Sequence, residues 1–355
     1  MAMARATAAR NTAGVALAAG FASVVIATDS KPEFLGMADA VGIDCDEQGA
    51  RFDFSTRLKG IVARFGLVRP AVLGSGSLPM LAAKDFRAIT EVLQSGENVL
   101  ATNNFFSSDL TAWTPGSAIE STGAFSRDNM LPRRLRDDAG LAPIVLPRTT
   151  ATQFDLDTPV DLAILGLREE LPPELANAAE EVGELSRRLR TVMPVLCDRQ
   201  GHLVVAGRAG SAAWQHLEHE TACRVRLYSE ERSLATAPEG YVPRSALGFL
   251  LDAVGFDNFF ARMSELGDAL ILDTRVLEAH AGINASREDR FQSDLFNWRA
   301  IENPWLKALT RAALESPKPV ILGGHSLVSG GLMALNDVAW AENDRKVEAR
   351  SETKN

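Results

Sequence analysis

The stretch FDLDTPVDL, residues 154–162, sets two carboxylates, Asp155 and Asp157, two positions apart. In an extended segment alternate side chains point to the same side, so these two face one way. Carboxylates held side by side repel unless water or a cation separates them. Oxygen donors of this kind suit Mg²⁺, which takes one or two carboxylates and completes its shell with water and substrate phosphates. The following residues read as a helix start. Thr158 is a cap, Pro159 takes the favoured first position, and Asp161 lies in the first turn, where the helix dipole favours negative charge. The same residues also admit a plainer reading, in which Asp155 and Asp157 only cap and solvate this turn.

Other stretches offer polar groups at strand ends. VLGSGSLPML, residues 72–81, runs from apolar residues into Ser75, Gly76 and Ser77, which supply amides and hydroxyls but no charge. NNFFSSDLTAW, residues 103–113, puts Asn104, Ser107 and Asp109 after a strand, with Trp113 either stacking on a base or filling the core. RFDFSTRLKG places Arg57 and Lys59 near a helix start, where anions bind readily. GHLVVAGRAGSAAW reads as strand, glycine turn and helix. Its Gly207, Arg208, Gly210 and Ser211 can cradle a phosphate, although it lacks G-x-G-x-x-G and Walker spacing. PVILGGHSLVSGG puts His325 and Ser326 at a strand end. Val328 stands where a nucleophile elbow needs glycine, which excludes an esterase of that type. SREDRFQSDL, with Arg287, Glu288, Asp289, Arg290 and Asp294, reads as a surface salt-bridge network.

These residues need a scaffold, and the apolar periodicity supplies one. ATAARNTAGVALAAG reads as a helix closed by Gly20, SVVIATDS as a strand, and PEFLGMADAVG as a second helix closed by glycine. FSTRLKGIVARFG and AKDFRAITEVLQSG read as helices around the strand of the 72–81 stretch. NVLATNN and APIVLPR read as strands on either side of the helix PRRLRDDAG. Strands separated by helices of 10–15 residues predict a mostly parallel α/β sheet. A connecting helical segment is expected over 169–200, then a second α/β domain over 201–340, then a charged, frayed tail over 341–355.

Three stretches, taken in order, resemble the MobA-like nucleotidyltransferases. VVIATDS with FLGMADAVGIDC is similar to their second strand, helix and third strand. VLGSGSLPML with AKDF looks like their G-D-x-P-L-L turn and helix, and FDLDTPVDL like their late D-x-D-T-P-x-D-L motif. At that last motif the chain resembles 2-phospho-L-lactate guanylyltransferases most. The resemblance covers about residues 12–168 and implies a nucleotidyltransferase (GT-A-like) domain over 1–168. It further implies transfer of a nucleotidyl group from a nucleoside triphosphate to a small phosphorylated or carboxylated acceptor. Mg²⁺ would sit on Asp157 and Asp155, with Ser75, Gly76, Ser77, Arg57, Asn104 and Asp109 around the nucleotide. Two departures bear on activity. Ser77 occupies the place of the family's first metal carboxylate, and LAAG at 17–20 reads as a helix end rather than as the family's phosphate loop. A catalytically degenerate nucleotide- or ligand-binding module is the alternative.

Composition narrows the partners. The 355 residues carry 37 Lys and Arg against 46 Asp and Glu, a net charge of −9, which argues against a nucleic-acid surface. Three distant cysteines, Cys45, Cys197 and Cys223, form no disulfide framework and point to a reducing, cytoplasmic setting. No apolar run reaches the length of a membrane span. The opening 30 residues also admit a signal-peptide reading. Two glycines in the apolar run and the ending VVIATDS favour helix followed by strand.

Overall fold

Alternation along two short strands shows how the N-terminal half is built. In β4 (Val99–Thr102), Leu100 packs into a cluster with Trp113, Ile119, Leu131 and Leu135, while Ala101 packs on the opposite side with Leu110, Ala112, Phe86 and Ile89. Neighbouring residues of a strand point to opposite faces, so one sheet carries a core on each side. The computed structural model describes residues 1–29, 36, 37, 39, 41–45, 53–231 and 240–352. The chain is α/β with parallel-rich sheets, and it divides into two compact units between Gln153 and Phe154.

In the first unit, α1 (Ala2–Ala18) leads through Gly20 (φ +103) to β1 (Val24–Thr28), which pairs in parallel with β2 (Val41–Cys45). The expected helix over 32–42 lies partly outside the described residues, and its last two, Val41 and Gly42, begin β2. A four-stranded sheet follows in the order β3 (Ala71–Leu73), β5 (Leu110–Thr114), β4, β6 (Ala142–Val145). It is flanked by α2 (Phe54–Arg64), α3 (Ala83–Gln94) and α4 (Leu131–Asp137), and the one-turn α5 (Thr150–Gln153) closes the unit. Here the expectation of a mostly parallel sheet needs correction. β5 runs antiparallel to both neighbours, and only β4 and β6 are parallel. The segment LTAWT follows a loop of only seven residues after β4, which leaves no room for a helical crossover and so returns the chain antiparallel. The outer strand β6 is exposed throughout. Ala142 donates to the Asn98 carbonyl just before β4 and Leu146 to that of Thr102, which turns positions 143, 145 and 147 outward; two of these are Pro143 and Pro147, which have no N–H to offer another strand.

The second unit opens with α6 (Pro159–Leu165), α7 (Pro173–Glu180) and α8 (Gly183–Leu196). Its sheet is wholly parallel, ordered β10 (Val320–Gly323), β9 (Ala269–Asp273), β7 (His202–Gly207), β8 (Arg224–Ser229). β9 and β10 are buried throughout and β7 over Leu203–Gly207, as expected of strands covered by helices on both faces. β8, at the edge, turns Arg224 and Arg226 to solvent. Helices α9 (Ser211–Glu220), α10 (Ala246–Val254), α11 (Phe256–Leu266), α12 (Thr274–His280), α13 (Arg287–Asp294) and α14 (Pro304–Leu314) make the crossovers. The last helix is α15 (Leu332–Glu352).

Two boundaries differ from expectation. Segment 169–200 is helical as expected, but it is part of the second unit: Leu185, Leu189, Val192, Met193 and Leu196 recur at helical spacing on α8 and are buried there. The run ENDRKVEARSE at 342–352 is helical rather than frayed, because α15 starts in apolar residues and meets no glycine or proline before Glu352.

Candidate functional site

The chain order of the second sheet marks one place on it. From β7 the chain moves outward to β8, whereas β9 leads the other way to β10. Where adjacent parallel strands send their connections in opposite directions, a crevice opens at their carboxyl ends, and open α/β sheets take ligands there. The residues at those ends are Gly207 and Arg208 after β7 and Asp273 at the end of β9. His325 and Ser326 follow β10.

Asp273 is fully buried, with both carboxylate oxygens in use. Oδ2 accepts from Arg208 Nε at 2.9 Å, and Oδ1 accepts from the Arg275 amide at 3.2 Å, capping α12. Gly207 makes this approach possible. Its φ of +137° suits glycine, and a Cβ there would run into the Asp273 side chain. Arg275 is enclosed beside it. Its Nη atoms donate to both Asp294 oxygens at 2.6 and 2.7 Å, and Nη1 also donates to Thr274 Oγ1 and the Gly323 carbonyl. Arg290 donates to Glu278 at 2.9 Å, and the Asp289 oxygens accept from the amides of Glu302 and Asn303. So the charged run 286–295 is not a surface network as expected: Asp289 and Asp294 are buried, Asp289 holding the 302–303 turn and Asp294 the Arg275 that bonds the β10 end.

The FDLDTPVDL turn belongs to this same unit. Phe154 and Leu156 are buried, while Asp155 is half-buried and Asp157 exposed, so the two carboxylates share a side as the extended reading expects. Thr158 caps α6 and Pro159 is its first residue. Asp161 is fully buried, and its Oδ2 accepts from the amides of Asp157 (3.0 Å) and Thr158 (2.8 Å), from Thr158 Oγ1 (2.9 Å) and from Ser326 Oγ (2.7 Å). Its other oxygen has no hydrogen-bond partner among the described residues. Burial outweighs the four donors and raises the Asp161 pKa to about 7. The Ser326 hydroxyl is therefore tied to a carboxyl group that locks the turn onto the β10 end. Gly323 lets the chains come this close, since a Cβ there would strike Val160.

His325 stands at this edge with its side chain open to solvent on one side. Its packed surroundings, and then the Arg208 guanidinium, push its pKa below the ordinary imidazole value, while the Asp273 and Asp157 charges oppose that shift. The charges of Asp157, Arg208 and Asp273 thus all reach His325.

The remaining candidate residues lie in the first unit. Arg57 Nε donates to Asp44 Oδ2 at 2.9 Å, and its Nη2 to the Asp44 carbonyl at 2.8 Å, which ties it to the carboxyl end of β2. Ser75, Gly76 and Ser77 form a tight turn, with the Ser77 amide on the Gly74 carbonyl at 3.1 Å. The next residue, Leu78, is fully buried with φ +52°, a conformation a leucine rarely adopts. Asn104 Oδ1 accepts from the amides of Phe106 and Ser107, and Asp109 accepts from Asn103 Nδ2 at 3.1 Å. Trp113 is fully buried, its indole N–H on the Gly116 carbonyl at 3.2 Å, so of its two readings the core one holds.

The oxygen donors Asp155 and Asp157 fit Mg²⁺ in kind. Among the described residues no three His, Cys, Asp or Glu side chains converge, so a metal here takes at most two protein carboxylates and draws its other ligands from substrate and water. Of the edge residues, Asp273 was missed from sequence. Its one local signal is an acid closing an apolar strand and capping the next helix.

No helix among the described residues is long and apolar enough to cross a membrane. The chain matches no family model, no curated protein and no solved structure.

Proposed function

We propose that the chain is a small-molecule-binding protein whose ligand, a nucleotide or a similarly phosphorylated compound, sits at the carboxyl edge of the second sheet. The observation that carries this reading is the meeting of Arg208 and Asp273 at the point where the strand connections diverge, with Asp157 and His325 on the same edge. Charge supports a metal-bridged phosphate. Asp157 and Asp155 offer oxygens to Mg²⁺, and Arg208 offers donors to a phosphate oxygen.

A second reading makes the chain a nucleotidyltransferase-like enzyme of GT-A-like fold that passes a nucleotidyl group to a small phosphorylated or carboxylated acceptor. Support comes from Asp155 and Asp157 sharing a side at a strand-to-helix turn. Mg²⁺ would draw charge from the α-phosphate there. Calorimetry separates the readings. Mg²⁺-dependent binding of GTP or CTP that is lost in Asp157→Ala supports the metal-bridged ligand, and turnover with an acceptor adds the enzyme. No nucleotide binding at any Mg²⁺ concentration overturns the enzyme and the nucleotide as ligand.

A further inference from the structure

The two arginines at this edge are used differently. Arg275 is buried, and its terminal nitrogens are taken up by Asp294, Thr274 and the Gly323 carbonyl. Arg208 keeps about a quarter of its side chain exposed and donates only from Nε, to Asp273. A guanidinium has five N–H donors in a planar fork. Among the described residues nothing accepts from the Arg208 Nη atoms. Asp273 takes only the Nε of this side chain: Oδ2 accepts it, and Oδ1 caps α12.

This arrangement is built rather than incidental. A fully buried carboxylate holds the guanidinium by its Nε, and a glycine at φ +137° makes room for that aspartate. Long side chains on a surface lose entropy when held, and here the cost is met by Asp273 before any ligand arrives. A fork held by its Nε keeps its Nη N–H groups for another acceptor. Planar N–H pairs of this kind recognise two oxygens of one oxyanion.

We propose that Arg208, braced by Asp273, is an oxyanion subsite that takes a phosphoryl group of the ligand, with the His325 ring as a second contact. The proposal rests on the reading that this edge is the ligand face, and it adds which part of the ligand is held and by which atoms. The phosphoryl group bonds its oxygens to Nη1 and Nη2. His325 serves as donor or acceptor according to tautomer. Asp157, on the same edge, opposes an unaccompanied anion, so bare phosphate binds weakly and removal of that charge strengthens it.

The test uses the full chain and inorganic phosphate, without nucleotide or metal. The His325 ring resonance, assigned by its absence in His325→Gln, is followed by NMR as phosphate is added at low ionic strength. The expected result is a saturable shift, at least tenfold weaker in Arg208→Lys and stronger in Asp157→Asn. Lysine keeps the pairing with Asp273 but loses the planar fork, so the fold survives, and an unchanged circular dichroism spectrum verifies that. Equal phosphate binding by Arg208→Lys, or no saturable shift in the parent chain, overturns the subsite. Acetate binding as tightly as phosphate overturns its assignment to a phosphoryl group. Failure of this test with Mg²⁺-dependent nucleotide binding intact removes the subsite alone. Phosphate binding without nucleotide binding removes the nucleotide reading alone.

Discussion

The two units hold their strand ends by different means. In the four-stranded sheet of the first, the loop between β4 and β5 is closed on itself: Asn103 bonds the amides of Asp109 and Leu110, Asn104 those of Phe106 and Ser107, and Ser108 links Thr102 to Thr111. These contacts are neutral or nearly so, and Trp113 fills the core beside them. In the second, buried charges do the work, with Arg275 on Asp294, Arg290 on Glu278 and Arg208 on Asp273. A buried ion pair is a poor source of net stability but a strict one for geometry, because breaking it leaves a bare charge in a dry place. The difference suggests that the first unit spends its polar groups on shape, whereas the second keeps a charged edge in register and leaves Arg208 with donors to spare.

The largest effect should come from removing half of a buried pair. Asp294→Ala strands the Arg275 guanidinium and should cost about 3–5 kcal/mol. The loss should appear as faster amide exchange across β9 and β10, with β4 and β5 unaffected. Exchange read unit by unit is the right probe, since a chain of two compact units need not unfold in one step. If both units loosen together, the contrast between them fails.

Next comes pH. Asp161 has a folded pKa of about 7 against an ordinary 3.8, so the folded chain holds a proton that the unfolded chain has lost. Between roughly pH 4 and 7 the contribution of this group to stability falls as pH rises, by about 4 kcal/mol over the full window. Denaturation of the second unit at pH 5 and pH 7.5 should show it. Asp161→Asn, an uncharged mimic of the acid, should flatten the slope. An unchanged slope in that variant would place the titrating group elsewhere.

Gly207→Ala should cost about 2–3 kcal/mol, because alanine meets both a positive φ and the Asp273 side chain. It should also weaken phosphate binding by tilting the Arg208 fork, and full affinity would sever the link between backbone and subsite. The smallest effect belongs to the first unit. The Asp44 pair with Arg57 is partly open to solvent, so Asp44→Ala should cost about 1 kcal/mol or less, read as a local rise in exchange at β1 and β2.

Much of this was legible in the residues. The capped start of α6 was written in Thr158, Pro159 and Asp161, and the buried strands of the second sheet in HLVVAG, ALILD and VILG. Short-range chemistry of this kind is local. β5 was missed because LTAWT is five residues long and its pairing depends on a loop length, not on a period. The Asp294 pair was misjudged because a charged helix looks alike whether its partner is solvent or an arginine from another element. Asp273 was missed for the same reason: its partner stands 65 positions away in sequence, and only the fold brings Arg208 to it.

The most direct test of the account is hydrogen exchange of the full chain with and without Mg²⁺ and GTP. The expected result is slower exchange at 155–161, 207–211 and 324–326, lost in Asp157→Ala. Ligand-dependent protection that spares those three segments, or none anywhere at saturating nucleotide, would contradict the placement of the ligand at the carboxyl edge of the second sheet.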